Sequence, residues 1–131
     1  MAKIYSVRAG SRIPEDIVSV AERERIKAAL VSGIGGVREV KLAYFNQEAK
    51  KYEEHDFREE LEVTSLLGDI TMRDGGPFLH LHGTFARRDL SVIGGHVVSG
   101  TVSPLLEFVI TPTSNRAVRR FDESVGLGVI Y

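Results

Sequence analysis

The sequence contains no cysteine and no tryptophan, and it has no long apolar run. Without cysteine, disulfide bonds and thiol chemistry are excluded. No run reaches the roughly 18 apolar residues that a membrane-spanning helix needs, which excludes a helical membrane protein. Residues 1–7 also lack the apolar stretch of a signal peptide. The simplest expectation is a soluble cytoplasmic protein.

The sequence also lacks an excess of charge of either sign. Its 17 basic residues oppose 18 acidic ones, for a net charge of −1. A dedicated DNA-binding protein usually shows a basic excess or a basic stripe. The densest basic clusters are small, namely Arg116 with Arg119 and Arg120, and Arg87 with Arg88. Each suits a solvated loop surface better than a nucleic-acid interface.

What is present is the composition of an ordinary globular domain. The chain has 131 residues, of which 43% are hydrophobic and 27% are charged. This is enough to build a hydrophobic core. We therefore predict a single domain that spans residues 1–131.

One helix is predicted near the N-terminus. Pro14 suits the first turn of a helix, and the two acidic residues after it suit the positive end of the helix dipole. Apolar residues at helical spacing then continue from Ile17 to Ala21. The helix is predicted to end near Arg25.

Most of the remaining chain has the pattern of β-strands. The predicted strands cover residues 3–7, 26–32, 37–45, 61–72, 78–86, 90–93, 96–102 and 105–111, with short strands near 119–121 and 125–131. Residues 33–36 are predicted to form a turn, and Gly68 to mark a bulge. One main helix with a largely antiparallel sheet defines an α+β fold. A single helix can cover only part of a sheet with so many strands. We therefore expect oligomerisation to cover the rest.

Three histidines in the middle of the chain give the sharpest chemical signal. His80 and His82 are two residues apart on a predicted strand, so both side chains lie on one face. His96 follows Gly94 and Gly95 after a predicted hairpin turn, which places it near that pair. Three neutral imidazoles without cysteine suit Zn²⁺ or a similar divalent metal. Three protein ligands leave a fourth position open, as in catalytic or ligand-binding sites.

Other interpretations of the three histidines stay open. They would also suit the lining of a polar cleft or a contact between subunits. A cupin barrel carries a His-x-His pair on a strand as well, but that pattern needs a glutamate shortly after the second histidine. Here Ala86 and Arg87 occupy that stretch. His55 lies in a charged segment and is predicted to be a solvated histidine.

A carboxylate within an apolar strand is the second candidate. Glu107 lies inside Leu-Leu-Glu-Phe-Val-Ile and is predicted to be buried, which requires a partner. It would act as a general acid or base, or orient a metal-bound histidine. The other interpretation is a structural salt bridge to an arginine such as Arg73 or Arg119. The glycines at 33–36 lack the spacing of a phosphate-binding motif, so nucleotide binding is not expected there.

Several segments resemble the PPC domain, the plants-and-prokaryotes-conserved domain. They are residues 30–36 and 42–45, residues 61–70, the His80-Leu-His82 pair, and the stretch from Gly94 to Glu107. The resemblance covers nearly the whole chain, and Gly-Gly-His-x-x-x-Gly is its most specific part. Plant members generally lack the histidines, so this chain is similar to the stand-alone prokaryotic branch.

The resemblance implies a PPC-like α+β fold assembled as a homotrimer. Plant members follow AT-hook motifs, which bind the minor groove of A·T-rich DNA, and prokaryotic members are described as DNA-binding by that association. This chain has no Arg-Gly-Arg-Pro AT-hook core, so the DNA role is an analogy at the level of the fold. In the prokaryotic branch, His80, His82 and His96 resemble a metal site.

The residues and the resemblance together support three functional hypotheses. The first is a homotrimeric PPC-like module of unresolved role, whose three histidines bind zinc or a small ligand. The alternative is a metal-dependent enzyme, a hydrolase or lyase of a small molecule, with metal-activated water as nucleophile and Glu107 as base. The third is a nucleic-acid-binding regulator, which needs Arg116, Arg119 and Arg120 to align across the trimer.

Overall fold

Antiparallel β-strands and one short helix account for most of the chain in the computed structural model, which describes residues 1–131. The elements are β1 (Lys3–Arg8), β2 (Arg12–Ile13), α1 (Glu15–Arg23), β3 (Ala29–Asn46), β4 (Lys51–Phe57), β5 (Leu61–Arg73), β6 (Gly76–Ala86), β7 (Val92–Pro112), β8 (Arg119–Asp122) and β9 (Leu127–Ile130). The predicted mostly antiparallel fold with one main helix is confirmed.

The strand pairings close into a ring. Strand β3 pairs with β5, β5 with β6, β6 with β7, and β7 pairs back onto β3. Strands β1 and β4 extend this ring from β7 and β3, and β8 and β9 form a separate hairpin. Because β3 and β7 have 18 and 21 residues, each can bend and serve two neighbours along its length.

The core lies inside this ring and under the helix. Helix α1 turns Ile17 and Ala21 inward and packs against β6. Phe85 and Phe108, from β6 and β7, are the largest fully buried side chains. Alternate residues of each strand therefore face the core, and the others lie on an outer face. Helix α1 has nine residues, and no helix of this chain could cross a membrane.

The predicted turn at residues 33–36 is wrong, because β3 continues through these glycines without reversing direction. Their missing side chains let β3 lie close against β7. A Cβ atom at Gly33 would lie 2.9 Å from the carbonyl oxygen of Glu107, and one at Gly35 or Gly36 would overlap the backbone of β7. Glycine here allows two backbones to approach rather than a chain reversal.

The predicted bulge at Gly68 is also misplaced. Gly68 pairs in register with Leu81, and the irregularity between β5 and β6 lies between Val63 and Ser65. A Cβ atom at Gly68 would overlap the carbonyl oxygen of His80. Gly68 is therefore another site of close backbone contact.

Two strand predictions differ from the structure. The segments predicted over 90–93, 96–102 and 105–111 form one bent strand, β7. Strand β4 has the sequence Lys-Tyr-Glu-Glu-His-Asp-Phe. It was not predicted, because its many charged residues leave no clear alternation of apolar and polar positions. It pairs only with β3, and most of its side chains are exposed, so its sequence lacks the apolar residues that usually indicate a strand.

Candidate metal centre

Strands β6 and β7 bring the three predicted histidines together. His80 and His82 lie on the outer face of β6, and they alternate with buried Leu79 and Leu81. His96 on β7 is paired directly opposite His82. Directly opposed residues of antiparallel strands point to the same face, so all three imidazoles share one patch.

The glycines before His96 permit this approach, as the sequence predicts. A Cβ atom at Gly94 would lie 2.8 Å from the carbonyl oxygen of Gly83 on β6. A Cβ atom at Gly95 would lie 3.0 Å from the carbonyl oxygen of Ala43 on β3. The start of β7 therefore fits closely between two strands, and this fixes the backbone position of His96.

The ring nitrogens of the three histidines lie close enough together to bind one metal ion. The Nε2 atoms of His80 and His82 are 3.1 Å apart. One nitrogen from each of the three rings lies within 4.8 Å of the others. Nitrogens bound at ~2.0–2.1 Å to one tetrahedral ion lie about 3.4 Å apart. Small side-chain rotations would therefore bring all three nitrogens onto one ion.

The electrostatics favour neutral imidazoles. Burial, with smaller contributions from the neighbouring His80 and His82, lowers the pKa of His96 to about 4. Burial also lowers the pKa of His80, with smaller contributions from His82 and Arg119 against an opposing effect of Asp69. Metal ligation needs the unprotonated ring, so both are prepared as ligands at neutral pH.

One ring nitrogen of the cluster lacks a partner. The Nδ1 atom of His96 is buried and forms no hydrogen bond. An unsatisfied buried polar atom costs about 1–3 kcal/mol unless something binds it. A divalent ion held by His80, His82 and His96 would satisfy the cluster, and the donor set suits zinc. The residues present therefore fit a metal.

Tyr52 on β4 supports His96 and was not predicted as part of the site. Its ring stacks on the His96 imidazole with centroids 4.4 Å apart and planes inclined by 22°. Phe45, opposite Tyr52 on β3, packs edge-on against Tyr52 at 5.1 Å. Burial raises the pKa of Tyr52, so its hydroxyl stays protonated. Nothing in the charged β4 sequence distinguishes Tyr52, because its role depends on pairing with β3.

A charged pair borders the other side of the cluster. Asp69 on β5 is directly opposite His80, and its Oδ1 accepts a 2.8 Å hydrogen bond from Arg119. Arg119 also donates to the Thr71 hydroxyl at 3.0 Å and to the Gly128 carbonyl at 2.9 Å. This ion pair ties the β8–β9 hairpin to the sheet beside His80.

Glu107 does not join the cluster, and the prediction that it is buried is wrong. It lies on the outer face of β7, exposed, opposite Ser6 and Ile34. The predicted salt bridge is also wrong, because Arg73 pairs with Asp74 and Arg119 with Asp69. Its apolar neighbours in sequence point to the opposite face, which a continuous apolar run conceals. A catalytic role for Glu107 stays a prediction.

The remaining predicted residues lie outside the cluster. His55 is exposed on β4 opposite Leu42, consistent with a solvated histidine. The side chain of Arg119 is only 10% exposed, and Arg120 stacks over the ring of Tyr131 with its Cζ 3.4 Å from the centroid. Within one chain, Arg116, Arg119 and Arg120 therefore do not form a continuous basic stripe.

The histidine cluster makes the metal-free fold sensitive to acid. The pKa of His96 falls from 6.5 to about 4 on folding, so between these values the unfolded chain binds more protons. We expect the free energy of unfolding to be highest above about pH 6.5 and to fall by up to about 3 kcal/mol toward pH 4. Urea denaturation across this range, with chelator present, measures the effect. A His96→Asn variant with the wild-type pH slope would contradict it.

The chain matches the model of a known protein family. The family model of the Plants and Prokaryotes Conserved (PCC) domain matches residues 3–114. The chain belongs to this family, and the resemblance predicted from the sequence is confirmed. A search of curated proteins finds no match.

Solved structures share the fold over nearly the whole chain. A proposed DNA-binding protein from Bacteroides thetaiotaomicron is 30% identical, with TM-score 0.94 over 99% of this chain and 91% of that one. A metal-containing protein from Archaeoglobus fulgidus is 32% identical, with TM-score 0.93 over 100% and 93% of the two chains. A plant- and prokaryote-conserved protein from Pyrococcus horikoshii is 27% identical, with TM-score 0.93 over 100% and 91%.

Proposed function

We propose that this protein is a homotrimeric binding module, one domain over residues 1–131, in which His80, His82 and His96 bind a divalent metal, most suitably zinc. The observation that carries the proposal is the convergence of three ring nitrogens within 4.8 Å of one another. The metal-containing relative from Archaeoglobus fulgidus supports it, because it shares 32% identity and the fold.

The metal would serve as a ligand-binding centre in this module. When bound, it supplies a Lewis acid with a coordination position that the three histidines leave free. His82 is exposed at the edge of the cluster, so a small molecule can reach that position from solvent. Tyr52 holds His96 by stacking. His80, His82 and His96 would thus bind the metal, and Tyr52 would orient His96. The free coordination position would bind the ligand.

Elemental analysis tests the metal directly. Protein purified without a histidine tag or chelator should carry close to one zinc ion per chain, and chelation should remove it. Adding zinc back should restore the occupancy and raise the melting temperature, because a ligand that binds only the folded state stabilises it. If the protein stays metal-free after zinc is added, the metal site is refuted and the histidines only line a polar cleft.

A row of side chains beside the cluster, with exposed apolar residues in it, supports association between copies of the chain. Ile4, Val109, Ser32, Leu67 and His82 are successive cross-strand partners on the outer face. Ile4 and Leu67 are 78% and 56% exposed in the single chain. Apolar side chains exposed this far across several strands suit burial against another copy. The metal cluster would then adjoin the subunit interface.

We expect light scattering to give three times the chain mass of 14.5 kDa. A Leu67→Glu variant should shift the population toward monomer, because it places a charge in this row of side chains. Leu90→Glu is the matched control, since Leu90 is 78% exposed on the turn between β6 and β7. A wild-type chain that stays monomeric at high concentration would refute the trimer.

DNA binding is a second candidate, favoured by the description of the Bacteroides thetaiotaomicron relative as a proposed DNA-binding protein. The net charge of −1 and the inward-facing Arg119 weigh against it. Binding through phosphates must weaken steeply as salt increases. Duplex binding without that salt dependence would contradict this function.

Metal-dependent catalysis on a small molecule, by a hydrolase or lyase, is the third candidate. It is favoured by the coordination position that three protein ligands leave free. Glu107 is not a neighbour of the histidines in the strand pairing, so a base would have to come from elsewhere or from a second copy. Inactivity of the zinc-loaded protein across a broad small-molecule screen would count against it.

A further inference from the structure

A large cavity of the chain lies away from the histidine cluster. It has a volume of about 890 Å³ and opens between the end of α1 and the segment that joins β7 to β8. Its walls come from residues 24–28, residues 112–118, and the turn after β5. Cavities of roughly 300–1,000 Å³ are typical of sites for small molecules.

Backbone hydrogen bonds hold the walls of this cavity in place. The Thr113 amide donates to the carbonyl of Ala28 at 2.9 Å. The Met72 amide donates to the carbonyl of Ala117, also at 2.9 Å. Both ends of the segment 113–117 are thus attached to the rest of the fold. The cavity is part of the folded structure rather than a gap under a detached loop.

Three cations without partners line the cavity. Arg25, Lys27 and Arg116 are exposed, and none of them forms a salt bridge or a side-chain hydrogen bond in the chain. Arg25 has a φ of 57°, a left-handed conformation that is uncommon for arginine. Arg25 therefore lies in the tight turn after α1, and both Arg25 and Lys27 line the cavity.

The acidic groups of the same cavity are already engaged. Glu24 accepts hydrogen bonds from Lys3 at 3.4 Å and from the Tyr5 hydroxyl at 3.1 Å. Those contacts lower the pKa of Glu24, with the Tyr5 hydrogen bond as the largest cause. Asp74 lies 3.9 Å from the guanidinium of Arg73. The uncommitted charge of the cavity is therefore positive.

Backbone donors add to this positive character. The amides of Ser114, Asn115 and Arg116 donate no hydrogen bond within the chain. Free backbone N–H groups beside arginine and lysine side chains are the usual components of phosphate sites. Arginine can grip a phosphate with two parallel hydrogen bonds, and lysine adds a point charge.

We propose that this cavity binds the phosphate groups of a small phosphorylated molecule through Arg25, Lys27 and Arg116. The same phosphate chemistry is present in a nucleic-acid backbone, so the test must separate the two sources. Binding of a free small molecule is favoured, because the cations line a concave cavity rather than a continuous ridge. It does not depend on the metal site, since no histidine lines this cavity.

Calorimetric titration with inorganic pyrophosphate tests the cavity. The full-length protein is first treated with chelator, so that pyrophosphate cannot bind through a metal at the histidines. We expect saturable binding with a Kd below about 1 mM that weakens as salt increases. Absence of saturable binding would overturn the proposal.

Paired variants locate the binding. Lys27→Gln/Arg116→Gln should weaken pyrophosphate binding at least tenfold, because it removes two of the three cations. Arg88→Gln, on the exposed turn after β6, should stay within twofold of wild type. Melting temperatures close to wild type establish that both variants fold. Wild-type affinity in the double variant, or an equal loss in the control, would overturn the assignment.

A short DNA duplex distinguishes the source of the phosphate. Pyrophosphate binding that the duplex does not displace supports the small-molecule site. Duplex binding that depends on Lys27 and Arg116, in a protein that does not bind pyrophosphate, would overturn it in favour of a nucleic-acid contact.

Discussion

Replacing His82 with alanine should abolish stoichiometric zinc binding while the chain stays folded. His82 is exposed, so its removal costs little packing, but it takes away one of the three proposed ligands. Loss of residues that merely support a ligand typically weakens metal binding 10–100-fold. Loss of the ligand itself should therefore exceed about 100-fold. Elemental analysis after gel filtration, and competition with a zinc chelator, measure the effect.

The matched control is His55→Ala, which removes another exposed histidine of the same sheet. His55 lies on β4 opposite Leu42, outside the cluster, so this variant should keep full zinc occupancy. The double variant His80→Ala/His82→Ala should contain no zinc above background. A folded His82→Ala protein with full occupancy would refute the three-histidine site. Equal zinc loss in His55→Ala would place the metal elsewhere.

Gly68→Ala should cause a large loss of stability, because it adds a methyl group where β5 lies directly against the backbone of β6. The added Cβ would overlap the carbonyl oxygen of His80 and lie 3.1 Å from the Cα of Leu81. Both obstacles are backbone atoms, so no side chain can rotate away, and β5 must move from β6. Overpacking typically costs 1–3 kcal/mol and occasionally more. We expect a loss of about 3 kcal/mol or more, measured by urea denaturation.

Gly76→Ala is the matched control for this substitution. Gly76 begins β6, and a Cβ atom there would meet nothing within 4 Å. Its stability should stay within about 1 kcal/mol of wild type, with an entropic gain in the unfolded chain. Because the overlap falls on His80, Gly68→Ala should also weaken zinc binding. Equal denaturation midpoints for the two variants would show that the strands accommodate the methyl group.

Local chemistry in the sequence determined the helix and part of the site. Pro14 and the acidic residues after it begin α1, and Ile17, Val20 and Ala21 face the core, because these effects act within one or two helical turns. His80 and His82 share a face because side chains alternate along any strand. The segments that resemble the PPC domain also predicted the family.

Only the tertiary structure decided which strands meet and how closely. The glycines at 33–36 have the local pattern of a turn, yet they allow β3 to lie against β7, a contact between residues some 70 positions apart in the chain. Tyr52 reaches His96 because β4 pairs with β3, and β3 with β7. Glu107 faces outward because β7 presents its other side to the core.

The histidine cluster shows most clearly which features the sequence determined and which the tertiary structure decided. Spacing alone placed two imidazoles on one face, but the register of β6 and β7 set His96 opposite His82. That register follows from a turn length and from the close fit of Gly94 and Gly95 between neighbouring strands. A one-residue shift would turn His96 toward the core. The sequence determined the candidate ligands, and long-range strand pairing decided that they converge.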